Sequence, residues 1–303
     1  MKKILIITST VDFTVDYIIN KYKDKCDFFR VNVDNFDKYE FDVNFEDGFS
    51  IKNKHWYIRE CEITAIYYRK PMLPDLSGFE SGYIKMISKD IIYFINGLVD
   101  SFKGKVLSKP SDLRKSENKI YQIKIAKEVN FHFPESSVGT CKEKINEIIK
   151  KGAIIKPLTT GKVISDNLCE IIQTSEIKSL VEEDISLTPL YIQKYINKDY
   201  ELRITILNNK VFPVKIIPCN NIDWRIEQEK NKYSLISIPS QIEDKCFEML
   251  KRMNLKFGAF DFIVNKSGRY IFLEVNPNGQ WLWLEEKLDL NISDEIVNYL
   301  LEE

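Results

Sequence analysis

The segment from Phe260 to Gln280 restricts the possible fold more than any other part of the chain. Its two halves alternate apolar and polar residues with a period of two around a short polar stretch, which predicts an antiparallel hairpin. A four-residue loop pairs Asn265 with Tyr270 and sets Asp261 opposite Glu274. The same alternation predicts a wholly apolar face, formed by Phe260, Phe262, Val264, Ile271, Leu273 and Val275.

The other face of this hairpin carries oxygen donors on Asp261, Glu274 and Asn276. Neighbouring carboxylates repel each other unless a cation lies between them. Mg²⁺ prefers oxygen ligands and bridges carboxylates to substrate phosphates. The alternative interpretation is a solvated hairpin face. The abrupt exit from the strand at Val275-Asn-Pro-Asn-Gly279 and the apolar opposite face favour the metal site.

Two upstream lysines, Lys119 and Lys156, are candidate partners for phosphate groups. Lys156 ends a short apolar strand before a proline, where an ammonium group can point into a cleft and act as a point charge. Most lysines are merely solvated, so each one alone is a weak indication. The polar turn at 158–163 offers backbone N–H groups to phosphates or is an ordinary turn.

The first third of the chain alternates predicted strands with predicted helices, which is typical of an open, mostly parallel sheet. The strands are expected at 3–8, 28–33 and 64–68, and the helices at 11–21 and 84–102. No Gly-x-Gly-x-x-Gly follows the first strand, which argues against a dinucleotide fold. Further along, Ser116 is expected to cap a helix, and more elements are expected at 136–140, 142–151, 153–157, 202–207, 211–217, 241–255 and 293–301.

Composition excludes several classes of protein. Lys plus Arg number 44 and Asp plus Glu 45, a balance that argues against a nucleic-acid partner. No apolar run approaches the roughly 18 residues of a membrane span. The start of the chain is interpreted as a first strand rather than a signal peptide. The six cysteines form no Cys-x-x-Cys pair, so we expect reduced thiols and a cytoplasmic protein.

The order of these motifs resembles the ATP-grasp superfamily over residues 106–303. The resemblance rests on the two lysines, the hinge Tyr191-Ile-Gln-Lys-Tyr-Ile196, the strand motif Glu201-Leu-Arg203 and the hairpin. It implies a mixed α/β fold with α+β lobes, in which an open parallel α/β domain precedes two lobes that clamp ATP. The implied boundaries are 1–107 for the N-terminal domain, 108–190 for the central lobe and 191–303 for the C-terminal lobe.

A narrower resemblance is to the microviridin-type peptide maturases, or graspetide synthetases. It rests on Tyr67-Tyr-Arg-Lys-Pro71, Asp223-Trp-Arg225 and Glu274-Val-Asn-Pro-Asn-Gly-Gln-Trp281. It implies an ATP- and Mg²⁺-dependent ligase that activates Asp or Glu side chains of a ribosomal precursor peptide, with a leader and an acidic core. The products are intramolecular ester or amide crosslinks. The resemblance also makes a homodimer an expectation, since related enzymes tend to be dimeric.

The resemblance carries roles over to individual residues. The groups implied to bind ATP are Lys119 and Lys156 for phosphates, Gln193, Lys194, Tyr195 and Ile196 for adenine, and Glu201 for ribose. The implied magnesium ligands are Asp261, Glu274 and Asn276. The implied catalytic residues are Arg203, Arg225 and Asp223, with Arg69 as a weaker candidate for substrate binding. The competing interpretations make Tyr195 a core residue, Glu201 and Arg203 a surface ion pair, and Asp223-Trp-Arg225 a surface loop.

Two other functions compete with peptide crosslinking. One keeps the ATP-grasp chemistry but adds free amino acids to a protein or small-molecule carboxylate, as in the ribosomal-protein glutamate ligases. The other is a nucleotide-binding regulatory protein without catalysis. The Tyr-Tyr-Arg-Lys-Pro and Asp-Trp-Arg elements favour crosslinking over the first alternative, and the full set of charged residues argues against the second.

Overall fold

The computed structural model describes residues 1–159, 162–165, 168–171, 174–180, 187–219, 224–225 and 228–302, with the backbone alone at 162–165 and 168–171. The predicted catalytic residue Asp223 lies outside the described residues. The chain forms two compact units. The first comprises Met1–Arg114, Leu255–Phe257 and Gln280–Glu303, and the second comprises Lys115–Asn254 and Gly258–Gly279. The division into three domains at 107 and 190 stays a prediction.

The first unit is built on a parallel sheet, as the βαβ pattern predicts. Its strands are β1 (Lys3–Thr8), β2 (Asp27–Asn32), β6 (Ala65–Tyr68) and β7 (Lys105–Leu107), in the order β2-β1-β6-β7. A separate antiparallel sheet consists of β3 (Glu40–Asn44), β4 (Gly48–Lys52) and β5 (Tyr57–Arg59). The helices are α1 (Phe13–Tyr22), α2 (Ser81–Ser101) and α3 (Pro110–Ser116), the last at the boundary between the units.

A single apolar core joins both sheets of this unit. Leu5 and Ile7 of β1 pack with Ile51 of β4 and with Ile95 of α2. These side chains are buried because β1 is apolar at nearly every position, as expected for a strand covered on both faces.

The second unit begins with α4 (Lys119–Glu128). Its central sheet has the order β12-β9-β13-β8, from β8 (Ser136–Gly139), β9 (Ala153–Lys156), β12 (Ser175–Ile177) and β13 (Leu190–Lys194). Along the chain, α5 (Lys142–Ile149) separates β8 from β9. The hairpin of β10 (Lys162–Ser165) and β11 (Leu168–Ile171) separates β9 from β12. The predicted cap of α4 is wrong: Ser116 ends α3, and Asn118 caps α4 because its side chain accepts from the Tyr121 N–H at 3.0 Å.

A five-stranded sheet completes the second unit, in the order β16-β15-β14-β17-β18. Its strands are β14 (Lys198–Leu207), β15 (Lys210–Ile217), β16 (Lys232–Leu235), β17 (Phe257–Asn265) and β18 (Tyr270–Asn276), with α6 (Ser240–Arg252) between β16 and β17. After β18 the chain returns to the first unit as α7 (Leu282–Leu288) and α8 (Ile292–Leu301).

Candidate active site

The β17–β18 hairpin brings Asp261 opposite Glu274, as predicted, but through a different register. Val264 pairs with Tyr270, so the loop is one residue longer than expected. With that register alone, Asp261 would face Leu273. A β-bulge in β18 inserts one extra residue, and the insertion moves Glu274 into the position opposite Asp261.

Because of this bulge, the apolar face of the hairpin differs from the predicted one. Phe272, not Leu273, is the buried residue of this pair, with 1% of its surface exposed. Its ring stacks on Phe131 and meets Phe262 edge to face. Ile271 is buried as expected, but it pairs with Ile263, two residues from Asp261 and therefore on the carboxylate face.

Arg203 and Asp261 form a buried ion pair on the neighbouring strands β14 and β17. Nη1 of Arg203 donates to both carboxylate oxygens of Asp261 at 2.9 Å, and the two side chains are 6% and 5% exposed. Gly279 makes room for this pair, because a Cβ there would lie 2.9 Å from Nη2 of Arg203. The polar atoms of the pair are thus held by both strands and by the chain segment after β18.

Glu274 is surrounded by cations. Lys119 donates to Oε2 of Glu274, and Nη2 of Arg225 donates to Oε1 at 2.8 Å and to Oδ2 of Asp261 at 3.2 Å. Burial alone would raise the pKa of Glu274, but the charges of Lys119, Arg225 and Lys156 hold that pKa well below its ordinary value. Glu274 is therefore a carboxylate at neutral pH.

Asn276 closes the cluster. Its Nδ2 donates to Oδ2 of Asp261 at 3.1 Å and to Oε1 of Glu274 at 3.2 Å, so the three predicted metal ligands lie within hydrogen-bond reach of one another. Two carboxylates and an amide oxygen suit Mg²⁺ once the amide turns its oxygen inward. In the described ranges, no group of three or more His, Cys, Asp or Glu side chains is suited to a metal.

Gln122, which sequence reasoning missed, connects α4 to β18. Its Nε2 donates to the Val275 carbonyl at 2.8 Å, and its Oε1 accepts from the Val275 N–H at 3.1 Å. Both bonds are buried, so they fix α4 at the strand that carries Glu274 and Asn276. Lys119, on the first turn of α4, is thereby held beside Glu274. No feature of the local sequence pattern around Gln122 indicates this contact.

The predicted nucleotide-binding residues lie on α4 (Lys119), on β9 (Lys156), on β13 and directly after it (residues 193–196), and on β14 (Glu201). Tyr191 pairs directly with Lys156, and Gln193 follows two residues later on the same face of β13. The N–H groups of Lys194 and Tyr195 donate to backbone carbonyls at 2.8 and 2.9 Å, which fixes the end of β13 before Ile196. The structure therefore sets Lys156 and Gln193 along one polar face of the central sheet.

Glu201 and Arg203 lie two residues apart on β14, as their spacing predicts, and both are buried. The ion-pair partner of Glu201 is Lys198, whose ammonium donates to Oε1. The expectation of an exposed Glu201–Arg203 pair therefore does not fit the geometry, because each of the two side chains has its own buried partner. Lys198, at the start of β14, was not predicted from the sequence.

Arg69 is in the first unit and is 1% exposed. Its Nε lies 3.1 Å from Oδ2 of Asp12, and Nη2 donates to Oε1 of Gln280 at 2.5 Å and to Oγ1 of Thr14 at 3.2 Å. These contacts fix the position of the guanidinium in the first unit, and direct contact of Arg69 with a substrate stays a prediction.

The fold and the site together define an ATP-grasp protein: α4 carries the first lysine, and two sheets carry the second lysine, the hinge strand and the carboxylate–amide cluster, in the predicted order. Residues 116–300 match the RimK-like ATP-grasp domain. The chain belongs to this family, because the match spans more than half of it. The predicted fold class and family are confirmed.

Solved structures of similar proteins cover almost the whole chain. A RiPP-associated ATP-grasp ligase from Chryseobacterium gregarium, in complex with ADP and a leader and core peptide, is 26% identical, with a TM-score of 0.88 over 99% of this chain and 96% of its own. Macrocyclase MdnC from Microcystis aeruginosa, bound with precursor peptide MdnA, is 24% identical, with a TM-score of 0.88 over 99% of both chains. The second similarity shows the fold alone.

A relative among characterised ligases is more distant in sequence. The α-aminoadipate–LysW ligase LysX of Sulfurisphaera tokodaii is 23% identical over 217 residues, which cover 68% of this chain and 74% of that protein. The neighbours are thus ATP-grasp ligases. Among the helices that the structure describes, none has the length and apolar character needed to cross a membrane.

Proposed function

We propose that this chain is an ATP- and Mg²⁺-dependent ligase that crosslinks a ribosomal precursor peptide. It activates Asp or Glu side chains of the peptide as acyl phosphates and joins them to hydroxyl or amine side chains of the same peptide. The observation that carries this proposal is the cluster of Asp261, Glu274 and Asn276 with Arg203 and Arg225. The solved Chryseobacterium ligase, which holds ADP with leader and core peptides, supports the peptide as substrate.

The cations around the carboxylate cluster favour a polyphosphate ligand. Lys119 donates to Glu274, Arg203 pairs with Asp261, and the charge of Lys156 acts on Glu274. Asp261, Glu274 and Asn276 would hold a bound Mg²⁺, which would supply positive charge to the transferring phosphoryl group.

The ion pairs must change partners when ATP binds. Lys119 now donates to Glu274, one of the proposed metal ligands. Binding of nucleotide would transfer Lys119 to the phosphates and leave Oε2 of Glu274 for the metal. Arg203 is held on Asp261 by two hydrogen bonds. This fixed guanidinium would stabilise charge on the transferring phosphoryl group.

Arg225 is suited to the peptide carboxylate. Its side chain is 42% exposed, against 6% for Arg203, so it can reach a substrate from solvent. A guanidinium binds a carboxylate through two parallel hydrogen bonds. Asp223, two residues earlier, is proposed to orient Arg225 or to take a proton from the attacking hydroxyl or amine.

A second candidate function is the addition of free amino acids to a carboxylate, which the similarity to LysX favours. Both candidates use the same activation step and differ in the attacking group. We further propose that the protein is cytoplasmic, because the five cysteines whose side chains are described are all free thiols. A homodimer remains an expectation from the resemblance.

The test is the intact mass of a candidate precursor peptide after incubation with the enzyme, ATP and Mg²⁺, with a small neighbouring reading frame that encodes a Thr-, Glu- and Asp-rich peptide as the source to search for. Peptide crosslinking predicts ATP-dependent loss of one water per bond. A gain of amino-acid mass would establish the second candidate instead. An unchanged peptide mass, despite bound ATP, would contradict the proposal.

The Arg225→Ala variant tests the proposed peptide contact. It should bind ATP as the wild type does and form no crosslink. Arg252→Ala is a matched control, since Arg252 is also 42% exposed and pairs with Glu248 and Glu128 on the outer surface. The role of Arg225 would be wrong if its variant crosslinked the peptide as fast as the Arg252 variant.

A further inference from the structure

The connection between β15 and β16 carries Arg225, the residue proposed to bind the peptide carboxylate. The last pair of these antiparallel strands is Ile217 with Lys232. Asn231 is therefore the first residue beyond the paired strands, and only 8% of its surface is exposed. A buried amide at the base of a connection is normally hydrogen-bonded, so the partners of Asn231 show what it holds in place.

The Asn231 side chain binds two backbone groups of this connection. Its Oδ1 accepts from the Cys219 N–H at 2.9 Å, and its Nδ2 donates to the Trp224 carbonyl at 2.6 Å. A backbone N–H can only donate and a carbonyl can only accept, so these two partners fix the orientation of the amide. Asn231 thereby ties Cys219 to Trp224.

Tyr233 and Gln228 hold the amide from a further side. The Tyr233 hydroxyl donates to the Gln228 carbonyl at 2.8 Å, and Nδ2 of Asn231 donates to that hydroxyl at 3.3 Å. The Asn231 N–H donates to the same Gln228 carbonyl at 3.3 Å. The amide oxygen and the amide nitrogen thus both bind groups of the protein itself, which keeps the side chain in one position.

The Trp224 carbonyl belongs to the peptide group that joins Trp224 to Arg225. A hydrogen bond to this carbonyl therefore fixes the plane from which Arg225 leaves the backbone. The Trp224 side chain is buried, and the guanidinium carbon of Arg225 lies 5.8 Å from the centre of its ring. From this fixed start, the half-exposed Arg225 side chain reaches Asp261 and Glu274.

We propose that Asn231 is a positioning residue for Arg225 and holds its guanidinium where it binds the peptide carboxylate. This inference rests on the proposed function, in which Arg225 makes that contact. A long side chain that starts from a fixed backbone loses less conformational freedom when it binds a ligand. Asn231 acts through the peptide group of Arg225 rather than by contact with the substrate. Its loss should therefore affect the peptide and spare ATP.

Asn231→Asp tests the contact with the Trp224 carbonyl. The carboxylate keeps the acceptor for the Cys219 N–H but has no proton to donate to the carbonyl. Steady-state crosslinking of the candidate precursor peptide is measured with ATP and Mg²⁺. The kcat/KM for the peptide should fall on the order of 10- to 100-fold, and the KM for ATP should stay within twofold of the wild type. Asn231→Ala should give the same pattern.

Asn265→Ala is the matched control. Oδ1 of Asn265 also accepts from backbone N–H groups of a connection, those of Ser267 at 3.1 Å and Arg269 at 2.9 Å, at the far end of β17 from the site. Its kcat/KM for the peptide should stay within twofold of the wild type. An equal loss in Asn265→Ala and Asn231→Ala would assign Asn231 a general structural role and overturn the inference.

Peptide binding separates positioning of Arg225 from a general effect on the fold. Dissociation constants for the same peptide are measured by calorimetry with ADP and Mg²⁺. Asn231→Ala should weaken binding in the wild type, but by less than twofold in Arg225→Ala, because no guanidinium remains to be positioned. Equal weakening in both backgrounds, or an unchanged kcat/KM in Asn231→Asp, would overturn the inference and leave the proposed function intact. Failure of the wild type to crosslink any candidate peptide would overturn both.

Discussion

Substitution of Gly279 by alanine tests whether the position of Arg203 controls catalysis. A Cβ at Gly279 would lie 2.7 Å from the Cβ of Ala259, 2.9 Å from Nη2 of Arg203 and 3.2 Å from the Cβ of Asn276. The backbone of Gly279 does not have a positive φ, so alanine is tolerated conformationally. The variant therefore moves Arg203 without removing any charge or hydrogen-bonding group.

The size of the effect follows from these distances. Carbon atoms in contact lie about 3.5–4.0 Å apart, so the methyl group requires a shift of about 1 Å at Ala259 or at its own segment. Overpacking of this kind costs typically 1–3 kcal/mol of unfolding free energy. A displacement of about 1 Å at a catalytic group costs on the order of 100-fold in rate. We expect both losses in Gly279→Ala.

Two assays measure the effect: chemical denaturation for stability, and ATP turnover with Mg²⁺ and precursor peptide for activity. Gly97→Ala in α2 is the control, because a Cβ there meets no atom within 4 Å. Its activity should be unchanged, and its stability should rise by up to about 1 kcal/mol from helix propensity. Turnover of Gly279→Ala equal to that of this control would refute the role given to the Arg203 position.

Two further substitutions distinguish the two carboxylates that are proposed to bind the metal, Asp261 and Glu274, by their environments. Asp261→Asn removes the buried carboxylate that pairs with Arg203, so we expect loss of ATP turnover and about 3 kcal/mol less stability in denaturant unfolding. Stability equal to the wild type would contradict this. Glu274 has a pKa lower in the folded chain than in the unfolded one, so it stabilises the fold above its unfolded pKa, near 4.5, and this contribution is lost as the pH falls. The unfolding free energy of Glu274→Gln should therefore fall less on acidification than that of the wild type. It is measured from unfolding curves without nucleotide, and an identical pH dependence of the two free energies would disprove the lowered pKa of Glu274.

Strands that are buried on both faces were predictable, and weakly buried ones were not. The run Lys3–Thr8 is apolar at almost every position, which is the pattern of a central parallel strand. The antiparallel sheet of β3, β4 and β5 was missed. Four of the five residues of β3 are exposed, so its sequence lacks the alternation that marks a half-buried strand. Its place in the fold comes from pairing with β4, which sequence patterns do not encode locally.

The parts of the candidate site that depend on the spacing of residues within one strand were predictable. Glu201 and Arg203 share a face because they are two residues apart, and the structure agrees. Partners from distant parts of the chain were not predictable. Lys119 and Glu274 are 155 residues apart, and Gln122 holds them together through backbone contacts with β18. Nothing in the local pattern around either charge indicates the other.

In the β17–β18 hairpin, the predicted strand register was wrong, but the predicted site was correct. The expected loop was one residue too short, and the bulge in β18 was absent from the expectation. The two differences cancel on the carboxylate side, so Asp261 still meets Glu274. They do not cancel on the apolar side, where Phe272 replaces Leu273 in the core. Ile271, Phe272 and Leu273 are three apolar residues in a row, so their pattern cannot reveal where the bulge lies. Because of the bulge, β18 packs Phe272 into the core and still directs Glu274 toward Asp261.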